Sequence, residues 1–342
     1  MTVTPLILAP ILKEKVWGGR RLERLGKALP PGVHIGESWE VADLGSTSVS
    51  GGGGGAERSR VAEGPGGGPH AGRTLHELMD EWGDDLLPRR LRTASGDFPL
   101  LVKFLDAREH LSIQVHPSPA YAAAHPDAHL KTECWYVLDA EPVEGQAPVI
   151  YKGIRPGVTP DDFRRLIAEQ RVPEAMLAVP AIRGQLHNLP SGTCHALGAG
   201  VLVAEVQTPS DTTFRVYDWA KEYGRAGREL HVEQSLACID FAPAPAATAL
   251  PEGQAGGRLL RNEFFEIDEF RLAPGASLTL SGGGCQVLMV LDGSGKLECG
   301  PGHGVPLAPG TTLVLPAALS DGSRFESDGT EALGVLRAGI VG

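Results

Sequence analysis

The segment that decides the fold is Pro190-Ser191-Gly192-Thr193-Cys194-His195, in a chain of 342 residues. Pro190 followed by Gly192 predicts a tight turn, because proline fixes one backbone angle and glycine adopts conformations closed to other residues. From residue 181 onward the sequence pattern is that of strands. We therefore expect the turn to deliver His195 to the start of a strand, where it is a candidate metal ligand.

A second stretch, Leu111-Ser112-Ile113-Gln114-Val115-His116-Pro117, alternates apolar and polar residues. In a strand, successive side chains point to opposite faces, so Ser112, Gln114 and His116 share one face. Burying three polar groups without partners would be costly. That face is therefore expected to line a wet cavity, while the apolar face meets the core.

The tripeptide Lys131-Thr132-Glu133 places a cation and a carboxylate two residues apart, again on one strand face. Two neutral imidazoles, a carboxylate and an amide oxygen form a ligand set that suits Zn²⁺ and would also accept Mn²⁺, Fe²⁺ or Co²⁺. Taken alone, a strand histidine is more often hydrogen-bonded than a ligand, and Lys131 with Glu133 is typical of a solvated pair. Three such elements within one predicted barrel favour a metal site.

The composition favours a turn-rich, largely β protein. Hydrophobic residues make up 42% of the chain, which also contains 45 glycines and 27 prolines. The formal net charge of −11 argues against a nucleic-acid partner, although a few local cations can still bind a small anion. No apolar run approaches the roughly 20 residues that span a bilayer. The five cysteines include no C-x-x-C pair, which is typical of free thiols, so we expect a cytoplasmic protein that does not bind membranes.

The order of segments predicts two domains. Residues 51–69 form an expected glycine-rich loop that looks like an insertion. Helices are expected from Thr74 towards Leu91, with a capping box formed with Glu77, and over Thr159–Ala178. The Ala/Pro stretch at 242–251 is a predicted linker, and short, regularly spaced strands follow it. We place the boundary near residue 245, with a metal-binding domain containing helical segments over 1–245 and a second barrel or sandwich over 246–342.

Several blocks of the sequence also resemble known families. Residues 190–195 match the P-x-G-x-x-H pattern of cupins, in which the turn aims an imidazole into a barrel. The shorter, bacterial form of the type I mannose-6-phosphate isomerases resembles this chain in the blocks 98–107, 111–117, 131–136, 190–198 and 210–219. The resemblance covers most of residues 1–240 in order, and its Q-V-H-P, K-T-E and S-D-x-x-x-R blocks are specific. The C-terminal third resembles only a generic second cupin.

The resemblance implies a mostly β fold with some helices, namely two cupin barrels (double-stranded β-helix, jelly-roll) with a helical insertion. Carried over by position, the family's metal ligands are Gln114, His116, Glu133 and His195. Its catalytic residues are Arg215, Lys131 and Asp211. The residues implied to bind the substrate are Ser112, Lys131 and Arg215.

Two departures from the family pattern limit what the resemblance implies. In longer members a histidine precedes the lysine of the K-x-E block, but here that position is Leu130, so a proton-transfer role for that histidine cannot operate. In the second cupin, Leu313 stands where a metal histidine would fall. The C-terminal domain is therefore expected to lack metal ligands.

The implied function is that of a zinc-dependent aldose–ketose isomerase with one Zn²⁺ per chain. It would interconvert mannose 6-phosphate and fructose 6-phosphate through a cis-enediol. Its expected partner is a small sugar phosphate, and its expected oligomeric state is a monomer or a weak homodimer. Two alternatives stay open: a non-catalytic cupin that binds a sugar phosphate, and an isomerase of another sugar phosphate such as glucose 6-phosphate. The joint presence of Lys131, Asp211 and Arg215 favours an enzyme, since binding alone would not need all three.

Overall fold

A computed structural model describes residues 2–45, 57–63, 68–280, 283–300 and 304–341. Most of the expected glycine-rich loop at 51–69 lies outside these ranges. Within them the chain is mostly β with short helices, as the sequence predicts. No helix in the described ranges is long and apolar enough to cross a bilayer.

The described residues form strands β1 to β24 and helices α1 to α5. Strands β1 to β14 are Leu6–Ile7, Ile11–Gly19, Ile35–Val41, Asp43–Leu44, Glu57–Arg58, Leu101–Ala107, Ile113–Val115, Glu133–Ala140, Val149–Ile154, Met176–Pro180, Gln185–Leu189, His195–Leu197, Val201–Gln207 and Phe214–Tyr217. Strands β15 to β24 are Thr248–Ala249, Gly256–Arg261, Phe265–Leu272, Ser277–Thr279, Gln286–Asp292, Gly295–Glu298, Gly304–Leu307, Thr312–Leu315, Arg324–Ser327 and Leu333–Ile340. Helices α1 to α5 are Leu75–Trp82, Pro119–Ala124, Pro160–Ala168, Val232–Cys238 and Ala317–Ser320. Short 3₁₀ turns lie at Arg21–Leu25, Gly68–His70, Gly83–Asp85, Arg89–Leu91 and Val172–Ala175.

Two pairs of antiparallel sheets carry the fold. In the first pair, a five-stranded sheet (β10-β9-β12-β7-β14) and a seven-stranded sheet (β15-β11-β8-β13-β6-β2-β3) share an interior in which Trp135, Leu197 and Val203 pack together. In the second pair, a six-stranded sheet (β1-β22-β19-β24-β17-β16) and a four-stranded sheet (β18-β23-β20-β21) enclose a second interior. Strand β1 joins the C-terminal sheet through β22, although it comes first in the chain.

Strand register aligns a row of polar residues across each sheet of the first pair. In the five-stranded sheet, His195 lies opposite Lys152 on one side and Gln114 on the other, and Gln114 in turn lies opposite Arg215. In the seven-stranded sheet the corresponding row is His187, Trp135, Glu205 and Lys103. Directly opposed residues on antiparallel strands project to the same face. The two rows therefore face one interior.

Two helices are shorter than the sequence pattern predicts. The capping box of Thr74 and Glu77 is confirmed, but α1 ends at Trp82, because Gly83 takes a φ of 56° and only 3₁₀ turns follow. Helix α3 is capped by Thr159 and ends at Ala168, and the remainder of its expected span is a 3₁₀ turn followed by β10. Phe163 and Ile167 of α3 pack on the outer face of the five-stranded sheet.

The two sheet pairs are joined by apolar packing and by buried polar contacts. Phe104 and Tyr136 of the first pair share one apolar cluster with Ile267 and Val287 of the second. The Tyr136 hydroxyl donates to Glu269 Oε1 at 2.8 Å and lies 3.0 Å from Arg271 Nη2. Because Tyr136 lies on β8, the strand that begins with Glu133, the second sheet pair supports a strand that carries a candidate ligand.

Candidate metal centre and substrate pocket

The structure brings His116, Glu133 and His195 together at the centre of the first interior. His195 Nε2 lies 3.1 Å from Glu133 Oε1, and His116 Nε2 lies 3.4 Å from Glu133 Oε2. One ligand atom from each residue falls within 4.8 Å of the others, and all three residues are buried. His195 follows the turn that begins at Pro190, and its strand, β12, starts at His195 itself. The three residues come from separate segments but converge on one point.

The hydrogen bonds of both histidines leave their inner nitrogens as acceptors. His116 Nδ1 lies 2.9 Å from the carbonyl oxygen of Thr212, and His195 Nδ1 lies 2.8 Å from that of Thr193. A carbonyl oxygen accepts, so each Nδ1 carries the proton and each Nε2 presents a lone pair. Both Nε2 atoms and both Glu133 oxygens are buried without a hydrogen-bond donor of suitable geometry. The lone pairs of the two Nε2 atoms and of the Glu133 oxygens thus face one another in a buried site, an arrangement that fits a divalent cation. The backbone carbonyls that accept from Nδ1 hold the two imidazole rings in the orientation that metal binding requires.

The electrostatics of His116 and Glu133 keep both residues in the protonation states that bind a metal. Burial, reinforced by the positive charge of Lys131, lowers the pKa of His116 to about 3. Burial raises the pKa of Glu133, but Lys131 and the two histidines outweigh it and hold that pKa well below its usual range. Lys131 Nζ lies 2.8 Å from Glu133 Oε2. At neutral pH the site therefore presents neutral His116 beside a carboxylate, the forms that bind metal.

Gln114, the fourth expected ligand, lies beside the three-residue cluster. It is the direct cross-strand neighbour of His195, and its amide oxygen accepts a 3.3 Å hydrogen bond from Ser112 Oγ. Strand alternation places Ser112 and Gln114 on one face of the chain, as the sequence predicts. Both residues line the pocket described next. The coordination of a metal by Gln114 stays a prediction.

A cavity of about 130 Å³ opens next to the cluster and contains the other expected site residues. Ser112, Gln114, Lys131, Asp211 and Arg215 all line it. Arg215 donates from Nη1 to the carbonyl oxygen of Glu229 at 2.9 Å. Burial, followed by the charge of the neighbouring Arg228, lowers the pKa of Arg215 to about 10, so its guanidinium stays charged at neutral pH. The pocket therefore joins the candidate metal centre to a partly buried cation that suits an anionic substrate.

Sequence comparisons agree with this arrangement. A model of the catalytic domain of type I phosphomannose isomerases matches residues 6–144. Mannose-6-phosphate isomerase ManA of Bacillus subtilis is 31% identical over 331 residues, which covers 94% of this chain and 96% of that protein. The chain belongs to the type I phosphomannose isomerase family. Mannose-6-phosphate isomerase of Streptococcus mutans is 32% identical over 332 residues, with 95% of this chain and 96% of that protein covered.

Solved structures of phosphomannose isomerases share the fold over almost the whole chain. The crystal structure of mannose 6-phosphate isomerase from Bacillus subtilis matches with a TM-score of 0.80 and 28% identity, covering 99% of this chain and 100% of that one. A mannose 6-phosphate isomerase bound with zinc and yttrium matches with a TM-score of 0.73 and 18% identity, covering 99% and 100%. The resemblance seen in the sequence is therefore confirmed, and the chain is an isomerase of this family.

Sequence reasoning missed an ion-pair network that forms the wall of the pocket opposite Arg215. Lys103 Nζ lies 3.1 Å from Glu205 Oε1, and Glu205 Oε2 accepts a 2.9 Å hydrogen bond from the Trp135 indole. Glu37 lies 3.9 Å from Lys103 Nζ and accepts a 2.6 Å bond from Trp39 Nε1. Lys103 and Glu205 are each an isolated charge within an apolar strand sequence. That pattern could have marked them as lining a polar interior.

A second cluster of metal-ligand residue types, Asp43, His76 and Asp97, lies far from the pocket in the chain's N-terminal part. Arg58 Nε lies 3.2 Å from Asp43 Oδ1, and Arg58 Nη2 lies 3.4 Å from Asp97 Oδ1. His76 Nδ1 is 2.9 Å from Asp43 Oδ2. The guanidinium already supplies the positive charge that a metal would bring, so this cluster is an ion-pair network that anchors α1.

Proposed function

We propose that this chain is a zinc-dependent mannose-6-phosphate isomerase that interconverts mannose 6-phosphate and fructose 6-phosphate through a cis-enediol. The observation that carries the proposal is the buried cluster of His116, Glu133 and His195, in which both imidazole Nε2 atoms face the Glu133 carboxylate. It lies next to a pocket that contains Lys131 and Arg215. The family relationship supports the substrate, because the relatives carry that name. The zinc-bound neighbour supports the metal by analogy.

The residues fit a zinc ion with nitrogen and oxygen ligands. His116, Glu133 and His195 would hold it, and Gln114 would supply the amide oxygen beside His195. When bound, zinc would act as a Lewis acid that stabilises negative charge developing on the substrate oxygens. One Zn²⁺ per chain is expected, because this is the cluster that faces the pocket.

The protein side chains would orient the sugar phosphate and manage its protons. Arg215 suits a bidentate contact with the phosphate, because its guanidinium fork matches phosphate oxygens. Ser112 would donate a further hydrogen bond from the same wall. Lys131, held 2.8 Å from Glu133, would transfer a proton between the two reacting sugar carbons or neutralise the negative charge on an oxygen attached to one of them. Asp211 lines the pocket beside Arg215 and would either orient it or share in the proton transfer.

The surroundings of the pocket would favour this chemistry. Trp39 and Trp135 are buried pocket walls whose indole nitrogens are held by Glu37 and Glu205. A largely enclosed polar site strengthens each electrostatic contact relative to water. Each tenfold increase in rate requires about 1.4 kcal/mol of stabilisation specific to the transition state. A few contacts of this kind would therefore raise the rate by several orders of magnitude.

The test combines metal analysis with a coupled isomerase assay. The purified protein should contain about one zinc per chain and convert mannose 6-phosphate, and chelation should abolish turnover. Glu133→Ala should lose both metal and activity. Arg215→Ala should keep its metal but lose roughly 10²–10³-fold in kcat/KM. Glu298→Ala, a change on the four-stranded sheet remote from the pocket, is the matched control and should behave as wild type.

Other outcomes separate the alternatives. Metal and sugar-phosphate binding without turnover would identify a binding protein, and faster conversion of glucose 6-phosphate in a substrate panel would assign another sugar. Full metal content and activity in Glu133→Ala would refute the proposed site.

A further inference from the structure

Lys152 and His187 face the first interior but do not line the substrate pocket. Lys152 on β9 is the cross-strand neighbour of His195, and His187 on β11 is the cross-strand neighbour of Trp135. The exposed fractions of Lys152 and His187 are 4% and 1%. Gln114 and Arg215 lie on the other side of His195 in the same row. The pair therefore lies behind His195, away from the substrate side.

Lys152 differs from the other buried lysines of the described chain. Lys27 lies 2.7 Å from Glu40, Lys103 lies 3.1 Å from Glu205, and Lys131 lies 2.8 Å from Glu133. No carboxylate among the described residues pairs with Lys152, and its buried Nζ has no hydrogen-bond partner there. A buried ammonium without a counter-charge is strongly disfavoured. The comparison indicates that the counter-charge of Lys152 is not a protein group.

His187 lies on the sheet that faces Lys152 and is also unpartnered among the described residues. Both of its ring nitrogens are buried without a partner in the described chain. His187 and Lys152 occupy the same end of the two facing rows, because Trp135, the neighbour of His187, contacts His195, the neighbour of Lys152, with ring centroids 5.2 Å apart. Burial, followed by the positive charge of Lys152, lowers the pKa of His187 to about 4. They are not hydrogen-bonded to each other. A neutral imidazole offers one N–H donor, so this end of the interior contains an ammonium and a second donor, both unpartnered in the described chain.

A small anion satisfies these groups better than water does. Buried polar groups in folded proteins are nearly always hydrogen-bonded, so the donors of Lys152 and His187 need an acceptor. Water would accept these hydrogen bonds but would leave the charge of Lys152 uncompensated. A monovalent ion meets both needs, and its single charge matches that of Lys152.

We propose that a small monovalent inorganic anion, of the size of a halide, binds between Lys152 Nζ and His187 behind His195. The site does not depend on the isomerase activity. It would couple the stability of the first sheet pair to halide concentration, since a ligand that binds only the folded chain stabilises it.

Bromide tests the proposal directly, because it scatters anomalously and resembles chloride in size. Crystals of the wild-type protein soaked in sodium bromide should show an anomalous peak within about 3.5 Å of Lys152 Nζ. In solution, replacing 200 mM sodium gluconate by sodium bromide should raise the wild-type Tm by roughly 2 °C at constant ionic strength. Gluconate serves as the reference because it is too large for a site of halide size.

Lys152→Met keeps the length of the side chain and removes its charge. This variant should lose both the anomalous peak and the bromide-dependent Tm shift. Lys221→Met, which removes an exposed lysine, is the matched control and should keep both. Bromide found only at the protein surface, or an equal Tm shift in wild type and Lys152→Met, would overturn the proposal. If Lys152→Met fails to fold, the wild-type crystal decides the question by itself.

Discussion

The two sheet pairs have similar architecture but fill their interiors differently. The first encloses buried His116 and Glu133 together with a cavity lined by Lys103 and Glu205, which are also buried. The second is packed with apolar side chains, among them Leu297, Leu313 and Phe325. Strand alternation supplies an inward row in both cases. What separates a reactive interior from a structural one is therefore the set of residues at inward positions.

Charged residues in the second pair behave differently from those in the first. Asp268 Oδ2 accepts a 3.0 Å hydrogen bond from Arg337 Nε, and both residues are buried. Their strand positions share a face with Phe270 and Val335, which pack in the second interior. This pair belongs to an ion-pair network with Arg258 and Glu266, whereas Lys103 and Glu205 border a cavity. The buried charges of the second sheet pair therefore have a structural role, whereas those of the first sheet pair line a pocket that can bind a ligand.

The largest effect is expected from breaking the charge balance of the first interior. Lys103→Met leaves Glu205 buried without its 3.1 Å partner. Loss of one member of a buried pair should lower the free energy of unfolding by about 3–5 kcal/mol, as measured by urea denaturation. The double variant Lys103→Met/Glu205→Gln should recover most of that loss. A stable single variant would show that the pair contributes little.

A volume change in the second interior should have a slightly smaller effect. Leu313→Ala removes a fully buried side chain and leaves a cavity among apolar neighbours. The free energy of unfolding should fall by about 3 kcal/mol, while the zinc content per folded chain stays unchanged. A parallel loss of zinc from folded Leu313→Ala protein would contradict the separation of roles between the two interiors.

The pH dependence of stability should come from the first interior. The pKa of His187 is lowered to about 4 by burial and by Lys152, so the unfolded chain binds more protons between about pH 4 and pH 6.5. The contribution of neutral His187 to the free energy of unfolding is therefore fully present above about pH 6.5 and is lost as the pH falls towards 4. It amounts to on the order of 2–3 kcal/mol. The free energy of unfolding of the metal-free wild type, measured by urea denaturation in gluconate buffer, should fall over this pH range. The same measurement on His187→Phe should show a smaller fall. Equal slopes of unfolding free energy against pH in the two proteins would rule out His187 as the source of the pH dependence.

The smallest effect is expected at the contact between the two sheet pairs. Tyr136→Phe removes the 2.8 Å hydrogen bond to Glu269 but keeps the buried ring. Arg271 Nε still lies 2.6 Å from Glu269, so the carboxylate stays paired. The free energy of unfolding should fall by about 1 kcal/mol, with kcat close to wild type. A large fall in kcat would show that the second pair controls the position of Glu133.

The sequence was informative about the candidate site wherever local patterns decide geometry. Strand alternation placed Ser112 and Gln114 on one face, and the Pro190–Gly192 turn placed His195 at the start of β12. Family resemblance added Arg215 and Asp211, which spacing alone could not select. The pairing of Lys103 with Glu205 could not be predicted, because it depends on the register of β6 against β13. Lys152 and His187 were missed for a similar reason, since their proximity arises between two facing sheets.

Helix ends and sheet membership were harder to predict. The apolar pattern extends beyond Trp82, but Gly83 adopts a positive φ that ends α1 there. Within the expected linker at 242–251, Thr248–Ala249 forms a strand that pairs with β11. A two-residue strand has no periodicity of its own to detect.

The pairing of β1 with β22 has a consequence for how the chain is made. Leu6 pairs with Val314 and Ile7 with Leu313, so β1 must wait for its partner until synthesis has passed β22. Until then an apolar stretch that includes Leu8 lacks its final neighbours, and it is a natural binding site for a chaperone. Such distant closure slows folding. The edge of this sheet at β22 is thus covered only after β22 has been made and has paired with β1.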